Sequence, residues 1–356
     1  MSNAAFSPRP VVQGGHSFGT HRALDPLGSL PQPAQRISND FSSLYDGELL
    51  LEVETLNVDA ASFRQMEEAV GSAEGVAAKV LETIQHRGKQ HNPVTGSGGM
   101  LLGRVLQVTP GHPGYGTLKT GDRIATLVSL SLTPLRIDEV LATRAISAQL
   151  DVRGEAVLFA TGPYAQMPND FSDRLALALF DVAGAAPQVA RWTKPGQSVL
   201  VLGAGGKSGI LCAAEARRQV GATGRVFGIE NHKPFADELS ELGICDAVFE
   251  ADARDPVAVR EAVLRATGGR EVDVAFSCVN VEGAELGAIL STVDRGVVYF
   301  FAMSTSFTRA ALGAEGCGKD VDLLIGNGYA HGHADHTLAL VRSMPTLSAL
   351  FERRYG

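Results

Sequence analysis

A chain of 356 residues exceeds one ordinary domain of roughly 150, so two compact units are expected. Hydrophobic residues at 45% and charged residues at 20% supply two cores and exclude a disordered or fibrous chain. The formal charge of −8 is spread without a long Lys or Arg run, so neither nucleic acid nor an anionic membrane is expected as a partner.

In chain order, the first forty residues carry His16, Gly19, His21, Pro26, Gly28, Pro31 and Pro33 among few periodic apolar positions and read as an extended arm with turns. Strands are expected over 48–56, 103–108 and 122–128, each bounded by Gly or Pro. Between the first two, 61–87 is rich in Glu, Ala and Lys and reads as one helix ended by Gly88. A further helix is expected over 170–185. From Ser198 strands and helices alternate: strands over 198–203, 225–230, 247–249, 272–276 and 296–301, helices over 209–220, 235–243, 256–267 and 283–290. That alternation predicts an α/β fold with a doubly wound parallel sheet. Residues 307–356 read as a tail with a helix from about Ala334 to Met344.

Cys212, Cys245, Cys278 and Cys317 form no CxxC pair, so neither a disulfide framework nor a cysteine zinc site is expected. The N-terminal residues lack a basic segment followed by an apolar core, and no stretch reaches the ~18 apolar residues of a bilayer span, which predicts a cytoplasmic protein.

The sharpest local signal is Gly203-Ala-Gly205-Gly206-Lys207-Ser208-Gly209, set between an apolar strand and an Ala-rich helix. Glycine there permits a tight turn, close approach of backbone to a diphosphate, and close packing of the helix, whose first N–H groups face the anion. Two registers fit: Gly203, Gly205 and Ser208 follow GxGxxG with Ser last, while Gly203, Gly206 and Gly209 give GxxGxxG. Glu230 ends the second strand of this unit, where a carboxylate binds the adenosine ribose hydroxyls, and Asn231 follows it. The carboxylate points to NAD, while His232 and Lys233 keep NADP open. Asn280 and Met303, with Ser304, sit at later strand ends and are expected to border the nicotinamide ribose and ring. Such turns also hold flavin or S-adenosylmethionine, or nothing.

With these parts in this order, the chain resembles the medium-chain dehydrogenase/reductase superfamily. Leu56 to Asp59 is similar to the short motif after an early strand that lines its active site, and Gly96 to Gly103 to its Gly-rich turn. The runs 28–34, 53–63, 87–99 and 201–209 more closely resemble the family of L-erythro-3,5-diaminohexanoate dehydrogenases. The resemblance implies a GroES-like β-rich catalytic domain over 1–168, a Rossmann domain over 169–306, and a C-terminal segment over 307–356 that returns to the catalytic domain. It implies NAD(P)-dependent oxidative deamination of that diamino acid to 5-amino-3-oxohexanoate and ammonia in lysine fermentation, by a homodimer. Where zinc alcohol dehydrogenases carry Cys, His and Cys ligands, this sequence has Asn57, Ser97 and no second Cys, so no metal is expected.

Amine oxidation requires that an ammonium lose a proton before hydride leaves, hence a base near the reacting carbon. Asp59 is the first candidate; its alternative is a helix cap. Lys89, His91, Asn92, Thr95 and Ser97 crowd one Gly-rich loop and suggest a ligand wall, with Lys89 for the substrate carboxylate and His91 for proton relay, against a plain surface loop with Lys89 in solvent. Asp181 either faces the nicotinamide or packs a helix. His331, His333 and His336 have metal-like spacing, but an intervening glycine and no accompanying Glu favour a closing loop. Two other functions fit the same fold: a zinc-free quinone or enoyl reductase using NADPH, and a non-catalytic NAD(H)-binding redox sensor. The ionisable residues around Asp59 and Lys89 suit a zwitterion better than a quinone.

Overall fold

In the computed structural model, which describes residues 6–58, 60–93 and 96–356, the chain divides into two units. One runs to Leu177 and takes in Tyr355; the other is Ala178–Arg354 with Gly356.

The proline-rich arm cannot build long ladders, and it is held instead by short pairings and one buried ion cluster. Strand β1 (Val11–Val12) pairs with β4 (Leu44–Tyr45), and β2 (Ala23–Asp25) with β3 (Arg36–Ile37). Arg22 and Glu48 are both buried, and the guanidinium donates to both carboxylate oxygens, from Nε at 2.6 Å and Nη2 at 2.7 Å. His21 Nε2 lies 2.8 Å from the same carboxylate, and the Tyr45 N–H donates to it. Burial pushes the Glu48 carboxyl up, but the bonds from Arg22 and His21 outweigh burial and leave it below its ordinary value.

Glu48 opens β5 (Glu48–Asn57), the centre of a six-stranded sheet in the order β10-β7-β6-β5-β9-β8. Its other members are β6 (Met100–Val108), β7 (Arg123–Thr126), β8 (Leu135–Arg144), β9 (Gln149–Phe159) and β10 (Tyr164–Gln166), all paired antiparallel. Leu150, Val152, Ala156 and Leu158 alternate onto the core face of β9. The helix expected over 61–87 is two helices, α1 (Ala60–Val70) and α2 (Ala73–Arg87). Gly71 takes positive φ and Ser72 caps α2 by accepting from the Gly75 N–H, so the chain restarts rather than continues. Gly88 ends α2 in the left-handed region, as expected.

The helix expected over 170–185 is shorter, α3 (Asp173–Phe180), and after a turn comes a helix that was not anticipated, α4 (Ala185–Trp192). Pro187 falls in the first turn of α4, where its missing N–H leaves no helical bond unmade. The second unit then follows the expected alternation closely. Strands β11 (Ser198–Leu202), β12 (Arg225–Glu230), β13 (Ala247–Glu250), β14 (Val272–Ser277), β15 (Thr292–Phe300) and β16 (Asp322–Ile325) form one parallel sheet in the order β13-β12-β11-β14-β15-β16. Helices α7 (Pro256–Thr267), α8 (Glu285–Leu290) and α9 (Phe307–Gly316) cover one face, burying Leu200, Leu202, Phe227 and Ile229. Helices α5 (Lys207–Val220) and α6 (Lys233–Glu241) lie against β11 and β12, and α10 (His333–Ser343) packs on α4 and α5. The tail is more ordered than expected, since α9, β16 and α11 (Pro345–Tyr355) flank the one helix anticipated there. Its β16 extends the parallel sheet, and residues 307–354 group with the second unit. The four cysteines are thiols, and no helix among the described residues is long and apolar enough to cross a membrane.

Glu48→Gln strips the charge from a carboxylate that faces a fully buried guanidinium. The change is expected to cost about 3–5 kcal/mol in chemical unfolding. A wild-type midpoint would show that the arm is held by something else.

Candidate coenzyme and substrate site

The apolar run of β11 ends at Gly203, whose φ of 68° turns the chain sharply toward α5. A Cβ at Gly209 would lie 2.0 Å from the Gly203 carbonyl oxygen, and one at Gly205 would lie 2.6 Å from Phe235 Cβ and 2.8 Å from Glu230 Oε2. Gly205 and Gly209 therefore exclude any side chain, and the positive φ of Gly203 favours glycine there. At Gly206 the nearest atom would be 3.6 Å away, so that position is open within the protein. Gly206 caps α5 without a side-chain bond, leaving the N-terminal turn with Lys207 and Ser208 to present N–H donors to an anion. The cradle therefore fits a dinucleotide diphosphate.

Glu230 is buried at the end of β12, and its carboxylate accepts from the N–H groups of Gly205 at 2.9 Å, Asn231 at 2.9 Å and His232 at 3.0 Å. The Asn231 side chain is exposed. Because the sheet is parallel, Gly203, Glu230, Asn280 and Met303 all fall at the same end of it. Asn280 is exposed and Met303 is 86% exposed, and Ser304 Oγ donates to the Val279 carbonyl, joining the two loops. Asp181 is not within a helix as expected: it sits in the turn after α3 and pairs with Lys207 at 2.6 Å. A candidate acid and a candidate phosphate contact thus neutralise each other beside the glycine turn.

Lys89, His91 and Ser97 share one loop of the first unit. Asp59, Val94 and Thr95 lie outside the described residues. The loop packs on the end of β5, because a Cβ at Gly99 would lie 2.2 Å from the Asn57 carbonyl oxygen, and Asn92 Nδ2 donates to Gln65 of α1. Asn57 in turn accepts from Gln149 Nε2 at 3.0 Å. Lys89 is neither in solvent nor turned to a ligand. It is fully buried, and its ammonium donates to the carbonyls of Pro31 at 2.5 Å and Gln32 at 2.8 Å, tying the loop to the arm. Burial, then the charge of Arg87, brings its pKa down to about 8. Ser97 Oγ accepts from the Gly99 N–H, a bond internal to the loop. His91 is half-buried with no hydrogen-bond partner at its buried Nδ1 among the described residues, and burial, then Lys89 and Arg87, lowers its pKa. Gln90, not singled out in the sequence, is buried beside it, and its Oε1 has no partner among the described residues.

The three histidines near the C-terminus separate. His331 is exposed, His333 is buried edge-on to Tyr329, and His336 approaches Glu215 at 3.3 Å. Among the described residues no group of three or more His, Cys, Asp or Glu could hold a metal ion.

A glycine turn at the mouth of a parallel sheet, in a chain that also folds an antiparallel β-rich unit, defines a medium-chain dehydrogenase/reductase fold. The chain matches a mycobacterial quinone oxidoreductase with a TM-score of 0.53 at 18% identity, over 92% of this chain and 84% of that one. Sequence narrows the class. Residues 21–168 match the L-erythro-3,5-diaminohexanoate dehydrogenase N-terminal domain. The chain is 51% identical to the L-erythro-3,5-diaminohexanoate dehydrogenase of Acetoanaerobium sticklandii over 96% of its own length and 99% of the relative's. It is 48% identical to that of Fusobacterium nucleatum over the same shares. The chain belongs to the L-erythro-3,5-diaminohexanoate dehydrogenase family and is a dehydrogenase.

Gly209→Ala is expected to destabilise the second unit by about 1–3 kcal/mol through overpacking, whereas Gly206→Ala costs less, about 0.5–1 kcal/mol for a poorer helix cap, and weakens coenzyme binding. Equal unfolding curves for the two variants would mean that helix and strand do not meet as closely as described. A pH effect follows from Lys89. Between about 8 and the ordinary Lys value of about 10.4, the unfolded chain holds a proton that the folded chain has lost. Unfolding free energy should therefore climb with pH through that window, and Lys89→Met should remove the increment. Parallel pH profiles for the two proteins would refute it.

Proposed function

We propose that this dehydrogenase oxidises L-erythro-3,5-diaminohexanoate at C3, giving 5-amino-3-oxohexanoate and ammonia, with NAD as acceptor. The observation that carries the reading is half-identity to two enzymes of that name along nearly the whole chain. Likeness to a quinone oxidoreductase at 18% identity speaks for the fold alone.

The nicotinamide coenzyme, when bound, takes the two electrons as hydride. Every other requirement falls on the chain and on water. The turn from Gly203 to Gly209 receives the diphosphate, with Lys207 and Ser208 at the start of α5. Glu230 receives the ribose hydroxyls and repels a 2′-phosphate, which favours NAD over NADP. Asn280 and Met303 border the ring end. Asp59 removes the proton from the C3 ammonium, and His91, held uncharged near neutral pH by its surroundings, relays it outward. Water supplies the new carbonyl oxygen. On this reading the first unit is the catalytic domain and the chain works in lysine fermentation as a cytoplasmic homodimer, paired through the exposed edge of β16.

Purified protein given NAD and the diamino acid is expected to release ammonia and reduced coenzyme in equal amounts, more slowly with NADP. Reduction of a quinone or enoyl compound by NADPH without amine oxidation would overturn the assignment. Asp59→Asn should lower turnover by about 10²–10⁴-fold while NADH affinity stays unchanged. Wild-type rates in that variant would remove Asp59 from the mechanism.

A further inference from the structure

The last helix of the chain ends against the coenzyme turn. Arg354, near the end of α11, donates from Nη1 to the Gly205 carbonyl oxygen at 2.7 Å. Its Nε donates to Glu238 Oε2 at 2.8 Å, and Nη2 reaches the same carboxylate. Its guanidinium carbon lies 4.1 Å from the centre of the Phe235 ring. The side chain is only 9% exposed. Arg353 donates to the other oxygen of Glu238 at 2.8 Å, so one carboxylate of α6 anchors both arginines.

The two peptide groups on either side of Gly205 are therefore held by opposite charges. On the first, the Gly205 N–H donates to Glu230; on the second, the Gly205 carbonyl accepts from Arg354. In a planar trans peptide the carbonyl and N–H point opposite ways, so directing this carbonyl toward Arg354 directs the Gly206 N–H away from it. That N–H donates to the Gly203 carbonyl at 3.3 Å, on the inner side of the turn. Neither Gly205 nor Gly206 has a side chain to resist rotation of the peptide between them, so that long bond within the turn and the shorter one from Arg354 are what hold it.

We infer that Arg354 is a coenzyme-positioning residue, which fixes the Gly205–Gly206 peptide in the orientation a bound diphosphate meets. The inference rests on the coenzyme reading above. Arginine suits the task because one planar group reaches a carbonyl and a carboxylate while stacking on an aromatic ring; lysine keeps the charge but loses the fork.

The test titrates NADH and NADPH, by nicotinamide fluorescence, onto the full-length wild type and the variants Arg354→Ala, Arg354→Lys and Glu238→Gln. Arg354→Ala should weaken both coenzymes by the same factor, about tenfold, the scale of one hydrogen bond from a charged donor. The loss should fall on the coenzyme KM rather than on kcat. Arg354→Lys should recover part of it, and Glu238→Gln, which leaves Arg354 present but unanchored, should show a smaller loss. Unchanged NADH affinity in Arg354→Ala overturns the inference. So does a loss confined to NADPH, which would make Arg354 a 2′-phosphate ligand. Should Arg354→Ala fail to fold, wild-type affinity in both Arg354→Lys and Glu238→Gln overturns it equally. A wild type that binds neither coenzyme sinks the coenzyme reading itself.

Discussion

The contact between Gly209 and the Gly203 carbonyl sets the geometry of the second unit. Helix α5 starts so close to the end of β11 that no Cβ fits between them, and that closeness brings the helix N-terminus to the mouth of the sheet. A larger residue at Gly209 would push the helix away and take the first-turn donors with it. The parallel order of the strands then gathers everything else, because Glu230, Asn280 and Met303 need only follow their strands to arrive at the same end.

Both units solve a common problem with buried ions. A proline-rich arm and a glycine-rich turn are segments that regular ladders hold poorly. In the first unit, Arg22 and Glu48 lock the arm where β5 begins, and the Lys89 ammonium takes two arm carbonyls 57 and 58 residues away. In the second, Glu230 and Arg354 hold the two sides of Gly205. Breaking a buried ion pair costs more than forming it stabilises, so these contacts specify a conformation more than they add stability.

That distinction explains what the sequence made legible. The alternating strands and helices from Ser198 to Phe301 and the glycine turn could be read directly, since period and turn chemistry are local. The break at Gly71-Ser72 was also local, a glycine followed by a capping serine, but a run rich in Glu, Ala and Lys masked it. Strand β9 alternates cleanly and was readable in principle, whereas β8 is an edge strand with mostly exposed charges and offers little pattern. Arg354 lay beyond sequence reasoning. Its partner Gly205 is 149 positions away, and nothing in a C-terminal Arg-Arg pair distinguishes an anchor from a solvated helix end. Lys89 failed in the opposite sense: its place in a polar loop suggested a ligand contact, and only the fold shows its ammonium turned inward.

The inward turn of Lys89 bears on substrate choice. The proposed substrate carries two ammonium groups and one carboxylate, so a lysine facing it would meet more repulsion than attraction. Here the ammonium is spent on carbonyls and its basicity is depressed, which moves a positive charge off the loop surface. Neighbouring His91 is likewise held toward its neutral form by burial and by the nearby cations. On the proposed reading, burying that ammonium spares the substrate's two ammonium groups a direct cationic neighbour, and the imidazole is left in the form that can accept a proton. A quinone would gain nothing from that arrangement. The fold is shared with an enzyme named for quinones, so the choice between the two substrates rests on the side chains each fold carries and not on the fold itself.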